Sequence, residues 1–369
     1  MNVYINSTGS YLPGEPIGND KIEDVLGLVN QKPSRLKNKI LKSNGIKFRH
    51  YAINTNQETV ETNCDLATKA AIECIENSFV ARKKIQLLSS ATSQGDMVLP
   101  GFSSMLQAEL DIPELEINTS HGICSSSMMA LKYAYANVKA DLSSNALVVA
   151  SEFASRLFKH TRYEALENNS IDFNAEFLRW MLSDGAGALL LENIPRPNTT
   201  SLKIEWIKSF SHADAYSTCM SIGKSKDEQI KTWQDYPNYS EAESAGALML
   251  RQDVRLLDNI VSVGVNGFLK LISAGDIKVA EIDHVLCHFS SHYFKGKIFE
   301  MLEQAGAMVP EQKWYTNLYE RGNTGCASLF IMLDEFIKTH QLNSGAKILC
   351  MVPESGRFNC AYMLLTVEN

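Results

Sequence analysis

The chain has 369 residues, of which 45% are hydrophobic and 21% charged, and its formal net charge is −7 at pH 7. This composition is typical of a globular protein, and the acidic balance argues against a nucleic-acid-binding role. We find no apolar run of the length that a membrane span needs and no secretory signal at the N-terminus. We therefore expect a cytoplasmic protein without a membrane partner.

One stretch departs from the acidic balance of the chain. Residues 32–49 contain seven basic residues and no acidic one, namely Lys32, Arg35, Lys37, Lys39, Lys42, Lys47 and Arg49. One interpretation of this stretch is a solvated helix face followed by a loop. The other is a docking surface for a phosphate-bearing or acidic partner.

Taken in chain order, the first half predicts a buried strand at 85–91, helices at 102–110 and 124–139, and a strand at 146–151. The second half predicts a strand at 282–288, helices at 293–304 and 323–339, and a strand at 347–352. Because order and spacing agree, we infer a duplicated α/β unit with halves at residues 1–195 and 196–369. Residues 153–181 break the alternation and are predicted to form a cap, and the polar residues 211–244 are predicted to form a surface insertion.

Three polar residues lie at the junctions of these predicted elements. Cys124 stands where a small-residue turn meets a helix, so unpaired N–H groups and the helix dipole are expected to lower the pKa of its thiol. His288 ends a strand and Asn323 begins a helix. Ligands collect at such positions in α/β folds, and Cys, His and Asn together indicate acyl-thioester chemistry.

Each of these residues also has a structural interpretation. Cys124 is compatible with a buried small residue at a helix start, and His288 with a hydrogen-bonded core histidine. Asn323 is a good helix N-cap, in which case its side chain would bind backbone N–H groups instead of a ligand. The sequence leaves these alternatives open for Asn323. No metal site is expected at Cys287 and His288, because neighbouring residues of a strand point to opposite faces.

Several short motifs in order carry a family resemblance. They are Gly45-Ile-Lys-Phe-Arg49, the turn at Cys124, Ala150-Ser-Glu152, Ser183-Asp-Gly-Ala-Gly187, His288, Gly322-Asn323-Thr324 and Glu354-Ser-Gly356. With them the chain resembles the β-ketoacyl-acyl carrier protein synthase III-like enzymes of the thiolase superfamily. The resemblance implies the thiolase fold, which is a duplicated five-layered αβαβα arrangement with two mixed sheets and a cap segment. It also implies a homodimer.

The resemblance further implies roles for individual residues. Cys124 would be the acyl-accepting nucleophile, and His288 and Asn323 would polarise the thioester carbonyl of the second substrate. The N–H groups of Cys124 and Gly356 would form an oxyanion hole. Both substrates would be carried on the phosphopantetheine of acyl carrier protein or on coenzyme A, and the chemistry needs no metal or redox cofactor. The basic residues 32–49 favour an acidic carrier protein as partner.

Two motifs depart from the family pattern. His288-Phe-Ser-Ser291 replaces His-Gln-Ala-Asn, and Pro353-Glu-Ser-Gly-Arg-Phe358 replaces a glycine-rich loop. These changes favour a ketosynthase/cyclase of specialised metabolism, of the dialkylresorcinol or stilbene type, which forms a ring after Claisen-type C–C bond formation. The carbanion would arise by decarboxylation of a malonyl unit or by deprotonation of a β-ketoacyl unit, with His288 or Glu354 as base.

Three alternatives to that function stay open. One is an acyltransferase of the same fold that passes the acyl group to oxygen or nitrogen. The second is the housekeeping starter enzyme of fatty-acid synthesis, and the third is a non-catalytic subunit. The candidate substrate-binding residues are Arg49, Phe153, Phe173, Phe177, Trp180, Ser291 and Glu354, and further wall candidates are Met97, Val98, Leu99 and Phe158. Arg49 is the candidate for a phosphate or pantetheine contact at the entrance.

Overall fold

The computed structural model of the chain describes residues 1–167, 171–224 and 232–368. Fourteen strands lie in these ranges. They are β1 Tyr4–Tyr11, β2 Ile17–Gly18, β3 Phe48–Arg49, β4 Leu87–Thr92, β5 Glu116–His121, β6 Asn145–Glu152, β7 Gly185–Glu192, β8 Ser201–Ser211, β9 Met220–Ser221, β10 Arg251–Gln252, β11 His284–Cys287, β12 Trp314–Tyr315, β13 Lys347–Glu354 and β14 Asn359–Glu368.

The same ranges contain twelve α-helices. They are α1 Ile22–Leu26, α2 Lys37–Asn44, α3 Asn63–Glu76, α4 Phe102–Glu109, α5 Ser126–Lys139, α6 His160–Glu164, α7 Phe173–Arg179, α8 Tyr239–Ser244, α9 Leu257–Ser273, α10 His292–Gln304, α11 Leu318–Arg321 and α12 Ser328–Thr339. Helices α6 and α7 lie in the segment predicted as a cap, of which residues 168–170 are outside the described ranges. Residues 225–231 of the predicted insertion are outside them as well.

The ten long and short strands of the main sheet follow the order β12-β11-β13-β14-β8-β1-β7-β6-β4-β5. In the first half, β5, β4 and β6 are parallel, and β7 and β1 are antiparallel to their neighbours. In the second half, β12, β11 and β13 are parallel, and β14 and β8 are antiparallel. The two sets of five strands therefore have the same topology, as the duplication predicts. The limits at residues 195 and 196 stay a prediction.

The two predicted sheets differ from the observed arrangement in one respect. Strands β1 and β8 are hydrogen-bonded neighbours, with Tyr4 opposite Lys203 and Ile5 opposite Leu202. This pairing joins the two five-stranded halves into one continuous mixed sheet. The sequence does not predict the pairing of β1 with β8. Strands pair through backbone N–H and C=O groups, which nearly every residue carries, so the side chains do not reveal which two strands are neighbours.

The layers of the molecule follow from the alternation of side chains along the central strands. On β13, Ile348 and Cys350 face one hydrophobic core, whereas Leu349 and Met351 face another. The first core includes α5 and α12, and the second includes α3, α9 and α10. Helix α12 packs on β1 and β7 of the first half and on β11 of the second. The inner helices therefore form a layer between the two halves of the sheet, as the thiolase fold requires.

Two predicted helices begin later than expected. Helix α5 begins at Ser126, because Cys124 still belongs to the turn after β5. Helix α12 begins at Ser328 and is preceded by a 3₁₀ turn at Gly325–Ala327. Asn323 forms a parallel β-bridge with Leu182, and this extended backbone cannot belong to a helix.

One helix in the described part of the chain has the length and composition that a membrane span needs. It covers residues 254–273, with a mean hydropathy of 1.3, and half of the window that passes is buried inside the molecule. Its helix, α9, packs against β13, β14 and α10. The core helix of a globular protein can have the same length and composition as a membrane span, so we interpret α9 as part of the core.

Gly187 sets the distance between β7 and α12. A Cβ atom at this position would lie 2.6 Å from Cβ of Phe330 and 2.9 Å from the backbone nitrogen of Ile331. Both distances are far below van der Waals contact, and one partner is backbone that cannot rotate away. The inner helix can therefore approach the sheet only because residue 187 has no side chain.

We expect Gly187→Ala to lower the free energy of unfolding by about 1–3 kcal/mol, the usual cost of forcing one methyl group into a packed core. Urea unfolding followed by circular dichroism measures this change. Gly296→Ala is the matched control, since a Cβ atom at that position in α10 would contact nothing within 4 Å. The control is expected to gain stability from the better helix former. Equal effects of the two substitutions would contradict the role of Gly187.

Candidate active site

A cavity of about 300 Å³ opens at the carboxyl ends of the central strands. Its walls include residues at the ends of β4, β5, β6, β11 and β13, together with parts of the cap and of α9 and α10. Residues that line it include Ser93, His121, Cys124, Glu152, Phe153, Phe177, Leu178, Met181, Leu257, Ile260, Phe289, Ser290, Phe294, Ile298, Asn323, Gly325 and Ser355. This is where α/β folds place ligands, because the strand ends and the helix starts meet there. Aliphatic and aromatic side chains form most of its surface.

Cys124 lies in the wall of the cavity, in the turn between β5 and α5. Its side chain is buried, and the backbone N–H of Ser126 donates to the carbonyl of Ile123 across the turn. Strand β5 ends at His121, and helix α5 begins five residues later, at Ser126. A reactive thiol held in so short a turn has a fixed position relative to the strand ends around it.

The electrostatic surroundings of Cys124 contradict the expected effect of the helix start. Burial, followed by the negative charges of Glu354 and Glu152, raises the pKa of the Cys124 thiol well above its ordinary value. A helix N-terminus is equivalent to about half a positive charge. One ionised carboxylate carries more charge than that. The sequence predicts Glu354 in the site as a base, but it does not predict the effect of Glu354 or Glu152 on the thiol pKa.

Asn323 is also in the cavity wall. Its Oδ1 accepts the N–H of Gly325 at 3.0 Å within the turn ahead of α12, and it is not the N-cap of that helix, which is Ala327. The backbone of Asn323 is held on both sides. Its N–H donates to the carbonyl of Met181, and its carbonyl accepts the N–H of Ser183. The side-chain oxygen is thus used by the protein, whereas the amide NH₂ group donates to no other described residue and keeps its donors for a ligand.

His288 directly precedes Phe289 and Ser290, which line the cavity. The side chain of His288 is 3% exposed, and its Nε2 has no hydrogen-bond partner in the described part of the chain. Burial lowers the pKa of His288 to about 4. The imidazole is therefore neutral at physiological pH. A buried nitrogen without a partner is expensive to maintain in a core histidine, so its presence points to a ligand.

Glu152 is a cavity residue to which the sequence analysis gave no role. Its carboxylate accepts the N–H and hydroxyl of Ser93 and the N–H of Cys326. Burial raises the pKa of Glu152, and these hydrogen bonds oppose that change. A Cβ atom on Gly325 would lie 2.8 Å from the Glu152 side chain, so the glycine makes room for it. Glu152 directly follows the predicted strand 146–151, and a polar residue at a strand end was the sequence feature that could have identified it as a site residue.

Glu354 is not in the cavity wall. Its Oε2 accepts the N–H of Ser125 at 2.9 Å and the Ser125 hydroxyl at 2.6 Å. The carboxylate therefore caps the start of α5. The prediction that Glu354 binds substrate expected it in the cavity wall, where it does not lie. Gly356 follows in the same turn, and a Cβ atom there would lie 2.7 Å from Cδ1 of Ile123. The turn between β13 and β14 thus packs directly against the residue that precedes Cys124.

Arg49 and Trp180 are wrong as substrate-binding residues. Arg49 is fully buried, donates to Oδ1 of Asn19 at 2.6 Å and also donates to the carbonyl of Trp180. Burial lowers the pKa of Arg49 to about 10. The side chain of Trp180 is fully buried too, and its indole N–H donates to Glu176. Both side chains hold the cap against the N-terminal segment and cannot reach a surface entrance.

The remaining candidates divide between the cavity and the protein interior. Phe153 and Phe177 line the cavity. Phe173 packs on Phe177 with ring centroids 5.8 Å apart and stands behind it, outside the wall. Ser291 caps α10 through a hydrogen bond from Tyr293 N–H to its hydroxyl, so its side chain is used structurally. Among the other wall candidates, Phe158 is buried away from the cavity, whereas Met97, Val98 and Leu99 are exposed.

Known proteins resemble the chain over both halves. A family model described as 3-oxoacyl-[acyl-carrier-protein] synthase III matches residues 119–209, and one described as the C-terminal part of the same enzyme matches residues 272–363. These matches cover both the turn at Cys124 and the segment from His288 to Asn323. The chain belongs to the 3-oxoacyl-[acyl-carrier-protein] synthase III family. It is therefore a condensing enzyme of the acyltransferase class.

Relatives of this synthase III-like chain span nearly its full length. Beta-ketoacyl-[acyl-carrier-protein] synthase III of Neisseria meningitidis serogroup C is 25% identical over 94% of this chain and 93% of the relative. That of Clostridium beijerinckii is 24% identical over 98% and 99%. Among solved structures, the tetronic acid condensing enzyme AbyA1 has a TM-score of 0.78 at 18% identity, with 99% of both chains covered. A complex of Xanthomonas campestris OleA with lauric acid and lauroyl-CoA has a TM-score of 0.76 at 18% identity, again with 99% of both chains covered. These similarities confirm the thiolase fold.

We expect the His288 imidazole to remain neutral from pH 5 to pH 8, because burial holds its pKa near 4. Histidine-selective NMR of the wild type and of His288→Asn identifies its signals and follows them against pH. Because the unfolded state binds this proton at higher pH than the folded state, the free energy of unfolding should fall as the pH drops from about 6.5 towards 4. A midpoint near 6.5 for His288 would contradict its burial.

Proposed function

We propose that Cys124 is the nucleophile of the condensing reaction and that His288 and Asn323 bind the second thioester. The observation that carries this proposal is the cavity that Cys124 and Asn323 both line. The buried imidazole of His288 directly precedes Phe289 and Ser290 of the same wall. A thioester carbonyl needs hydrogen-bond donors where its negative charge develops. A neutral imidazole and a primary amide are two such donors, and neither needs to change its charge during the reaction.

The first step would be acyl transfer to Cys124. Its Sγ forms a bond to the carbonyl carbon of the donor thioester, the bond from that carbon to the carrier sulfur breaks, and the thiol proton passes to the leaving sulfur. The backbone N–H groups of Cys124 and Gly356 would stabilise the oxyanion in this step. The cavity also presents aliphatic side chains such as Leu257, Ile260 and Ile298, which suit an acyl chain.

The second step would form the C–C bond. A malonyl thioester loses CO₂, or a β-ketoacyl thioester loses an α-proton to a base, and the resulting carbanion attacks the Cys124 acyl group. The bond from the acyl carbon to Sγ then breaks, and the released thiolate takes up a proton from that base or from solvent. His288 and Asn323 would hold the enolate oxygen of the second substrate. Neither step needs a metal or a redox cofactor, and both substrates would be carried on phosphopantetheine. The buried carboxylate of Glu152 is a candidate base for the deprotonation route because Glu152 lines the cavity, and Glu354 is less suited because it does not.

An acyl carrier protein is the proposed partner for delivery of at least one substrate. Five of the seven basic residues between 32 and 49 are exposed, and they are Lys32, Arg35, Lys39, Lys42 and Lys47. Lys37 is paired with Glu23, and Arg49 is buried. Helix α2 of this stretch packs on α10, whose residues Phe294 and Ile298 line the cavity. A positive surface next to the cavity suits an acidic carrier that works in the cytoplasm.

We place the reaction in specialised metabolism, with ring closure to a dialkylresorcinol or cyclohexanedione-type product. The support is the similarity to the tetronic acid condensing enzyme and to OleA, together with the changed motifs at Ser291 and Glu354. The alternative is the housekeeping starter reaction, because the relatives are named beta-ketoacyl-[acyl-carrier-protein] synthase III and not as enzymes of specialised metabolism. The two differ in substrate, since a starter enzyme would join a short acyl group to a malonyl unit.

A homodimer is the proposed assembly, with β5 at its interface. Strand β5 is the last of the main sheet, so one side of its backbone pairs with no other strand of the described residues. Exposed hydrophobic side chains lie on β5, on the neighbouring α5 and in the loop before α4, namely Ile117, Met129, Tyr133, Met97, Val98 and Leu99. An unpaired edge with apolar neighbours is a surface that a second copy covers.

We expect Cys124→Ala to abolish acylation and condensation together. Asn323→Ala should leave acylation largely intact and lower condensation by about 10²-fold or more, the usual effect of losing one preorganised donor. Intact-protein mass spectrometry measures acylation, and product formation measures condensation. Cys326→Ala is the matched thiol control and should keep the adduct. Equal loss of both steps in Asn323→Ala would show that Asn323 has another role.

The substrate proposal is tested with a panel of acyl donors from two to fourteen carbons on coenzyme A and on carrier protein, each paired with malonyl or 3-oxoacyl second substrates. We expect a preference for longer acyl groups, because the cavity wall is mainly aliphatic and aromatic. Product masses identify the joined chains and any ring closure. A preference for acetyl and malonyl groups would favour the housekeeping alternative, and transfer to an alcohol or amine would favour the acyltransferase.

We expect Ile117→Lys to shift the protein from dimer to monomer, because a charged side chain on an edge strand opposes pairing with another strand. Light scattering coupled to size-exclusion chromatography gives the mass directly. Leu142→Lys, at an exposed position in the α5–β6 connection, is the control and should leave the mass unchanged. A wild-type protein that elutes as a monomer would rule out the assembly.

A further inference from the structure

The two-stranded sheet of β9 and β10 carries part of the predicted insertion to the cavity. Met220 of β9 pairs with Gln252 of β10, so their side chains lie on the same face, and both residues line the cavity. The N–H groups of Cys219 and Met220 donate to the carbonyl of Gly356 at 2.9 and 3.2 Å. The small sheet is thereby fixed to the turn that follows β13.

Gln252 places a primary amide in a wall that is mainly apolar. The residue is 3% exposed, and its Nε2 donates to Oγ of Ser355 at 2.8 Å and to Sγ of Cys219 at 3.5 Å. The S–H group of Cys219 itself donates to the carbonyl of Asp253 at 3.4 Å. Because the thiol hydrogen is used there, the sulfur can only accept from Gln252. The end of the amide that faces the sulfur is therefore the NH₂ group.

Two hydrogen-bonding groups of Gln252 and Ser355 are left for a ligand. The Oε1 atom of Gln252 accepts no hydrogen bond from any residue in the described ranges, and it is not completely buried. The Ser355 hydroxyl accepts from Gln252 and donates to no residue in those ranges, so its hydrogen is free. Both residues line the cavity. An acceptor and a donor therefore lie close together, and a purely apolar ligand would leave both of them unpaired.

We propose that Gln252 and Ser355 bind a hydroxyl group of the acyl substrate, so that the enzyme takes a hydroxyacyl thioester. The alcohol oxygen accepts from the Ser355 hydroxyl, and the alcohol hydrogen donates to Oε1 of Gln252. A keto oxygen can only accept and would leave Oε1 unpaired, whereas a saturated chain would leave both groups unpaired. This inference rests on the proposed function, because it takes the cavity as the binding site of the acyl chain.

The position of Ser355 indicates where along the acyl chain the hydroxyl lies. Its neighbour in the chain, Glu354, accepts both the N–H and the hydroxyl of Ser125, which directly follows Cys124. Ser355 therefore lies beside the turn that carries the proposed nucleophile. We expect the hydroxyl near the thioester end of the acyl chain and not at its far end.

The test compares the rates at which dodecanoyl thioesters acylate Cys124, measured by intact-protein mass spectrometry with donors on coenzyme A and on carrier protein. The donors are unsubstituted dodecanoyl and its 3-hydroxy, 5-hydroxy and 12-hydroxy derivatives. We expect the 3-hydroxy or the 5-hydroxy donor to react about tenfold faster than dodecanoyl, because the unsubstituted chain leaves a buried acceptor and a buried donor unpaired. The 12-hydroxy donor should have no such advantage. Equal or lower rates for all hydroxy donors would overturn the proposal.

Gln252→Met keeps the length of the side chain and removes its amide, so the ratio of hydroxyacyl to acyl rates should fall to about one. Ser355→Ala should have the same effect and serves as the second variant if Gln252→Met does not fold. Leu250→Met is the matched control, because it changes the same cavity wall without removing a polar group, and it should keep the wild-type ratio. If Gln252→Met slows both donors alike and keeps their ratio, Gln252 only supports the turn and the proposal is wrong.

A binding measurement separates this inference from the proposed function. Calorimetry with the Cys124→Ala protein compares dodecanoic acid with its 3-hydroxy and 5-hydroxy derivatives and needs no acyl transfer. Tighter binding of a hydroxy acid that Gln252→Met abolishes, in a protein whose wild type forms no acyl adduct, would keep the hydroxyl site and remove the proposed role of Cys124. An adduct on Cys124 without any preference among donors or acids would keep the nucleophile and remove the hydroxyl site.

Discussion

The apolar layer between the two halves of the sheet is the constraint on which the rest of the structure depends. Helices α5 and α12 share one core with strands of both halves, and α12 approaches β7 closely because Gly187 has no side chain. This packing fixes the two halves relative to each other. Cys124 precedes α5, and Asn323 precedes α12, so the same two helices that fill the layer also carry the candidate reactive groups to one cavity.

The cavity owes its chemistry to removal of water. Burial keeps the imidazole of His288 neutral and the thiol of Cys124 protonated, and it raises the pKa of the Glu152 carboxyl. In each case the charged form is disfavoured, because the surroundings of the group are largely apolar. Before substrate binds, the hydrogen-bond donors His288 and Asn323 and the thiol of Cys124 are therefore uncharged. Charge develops only during the reaction, where hydrogen-bond donors are already in position.

Much of the fold followed from sequence pattern, because buried strands and helix starts have strong local signals. The repeated spacing predicted the duplicated topology, and the strand end at His288 and the junction at Cys124 were close to their observed positions. Long-range contacts had no such signal. The burial of Arg49 under the cap, the pairing of β1 with β8 and the contact of Glu354 with Ser125 join residues that are far apart in the chain. The thiol pKa was predicted in the wrong direction for the same reason.

The main sheet ends in two unlike edges. One is β5, a strand of six residues, and the other is β12, a strand of two residues. Two copies that pair through their β5 edges would use up the same surface on both molecules and form a closed, isologous pair. The short β12 edge offers too few backbone groups to recruit a third copy. If two β5 edges pair, the asymmetry permits one extended sheet across two molecules that ends at a short β12 strand on each side, an arrangement that disfavours fibre formation.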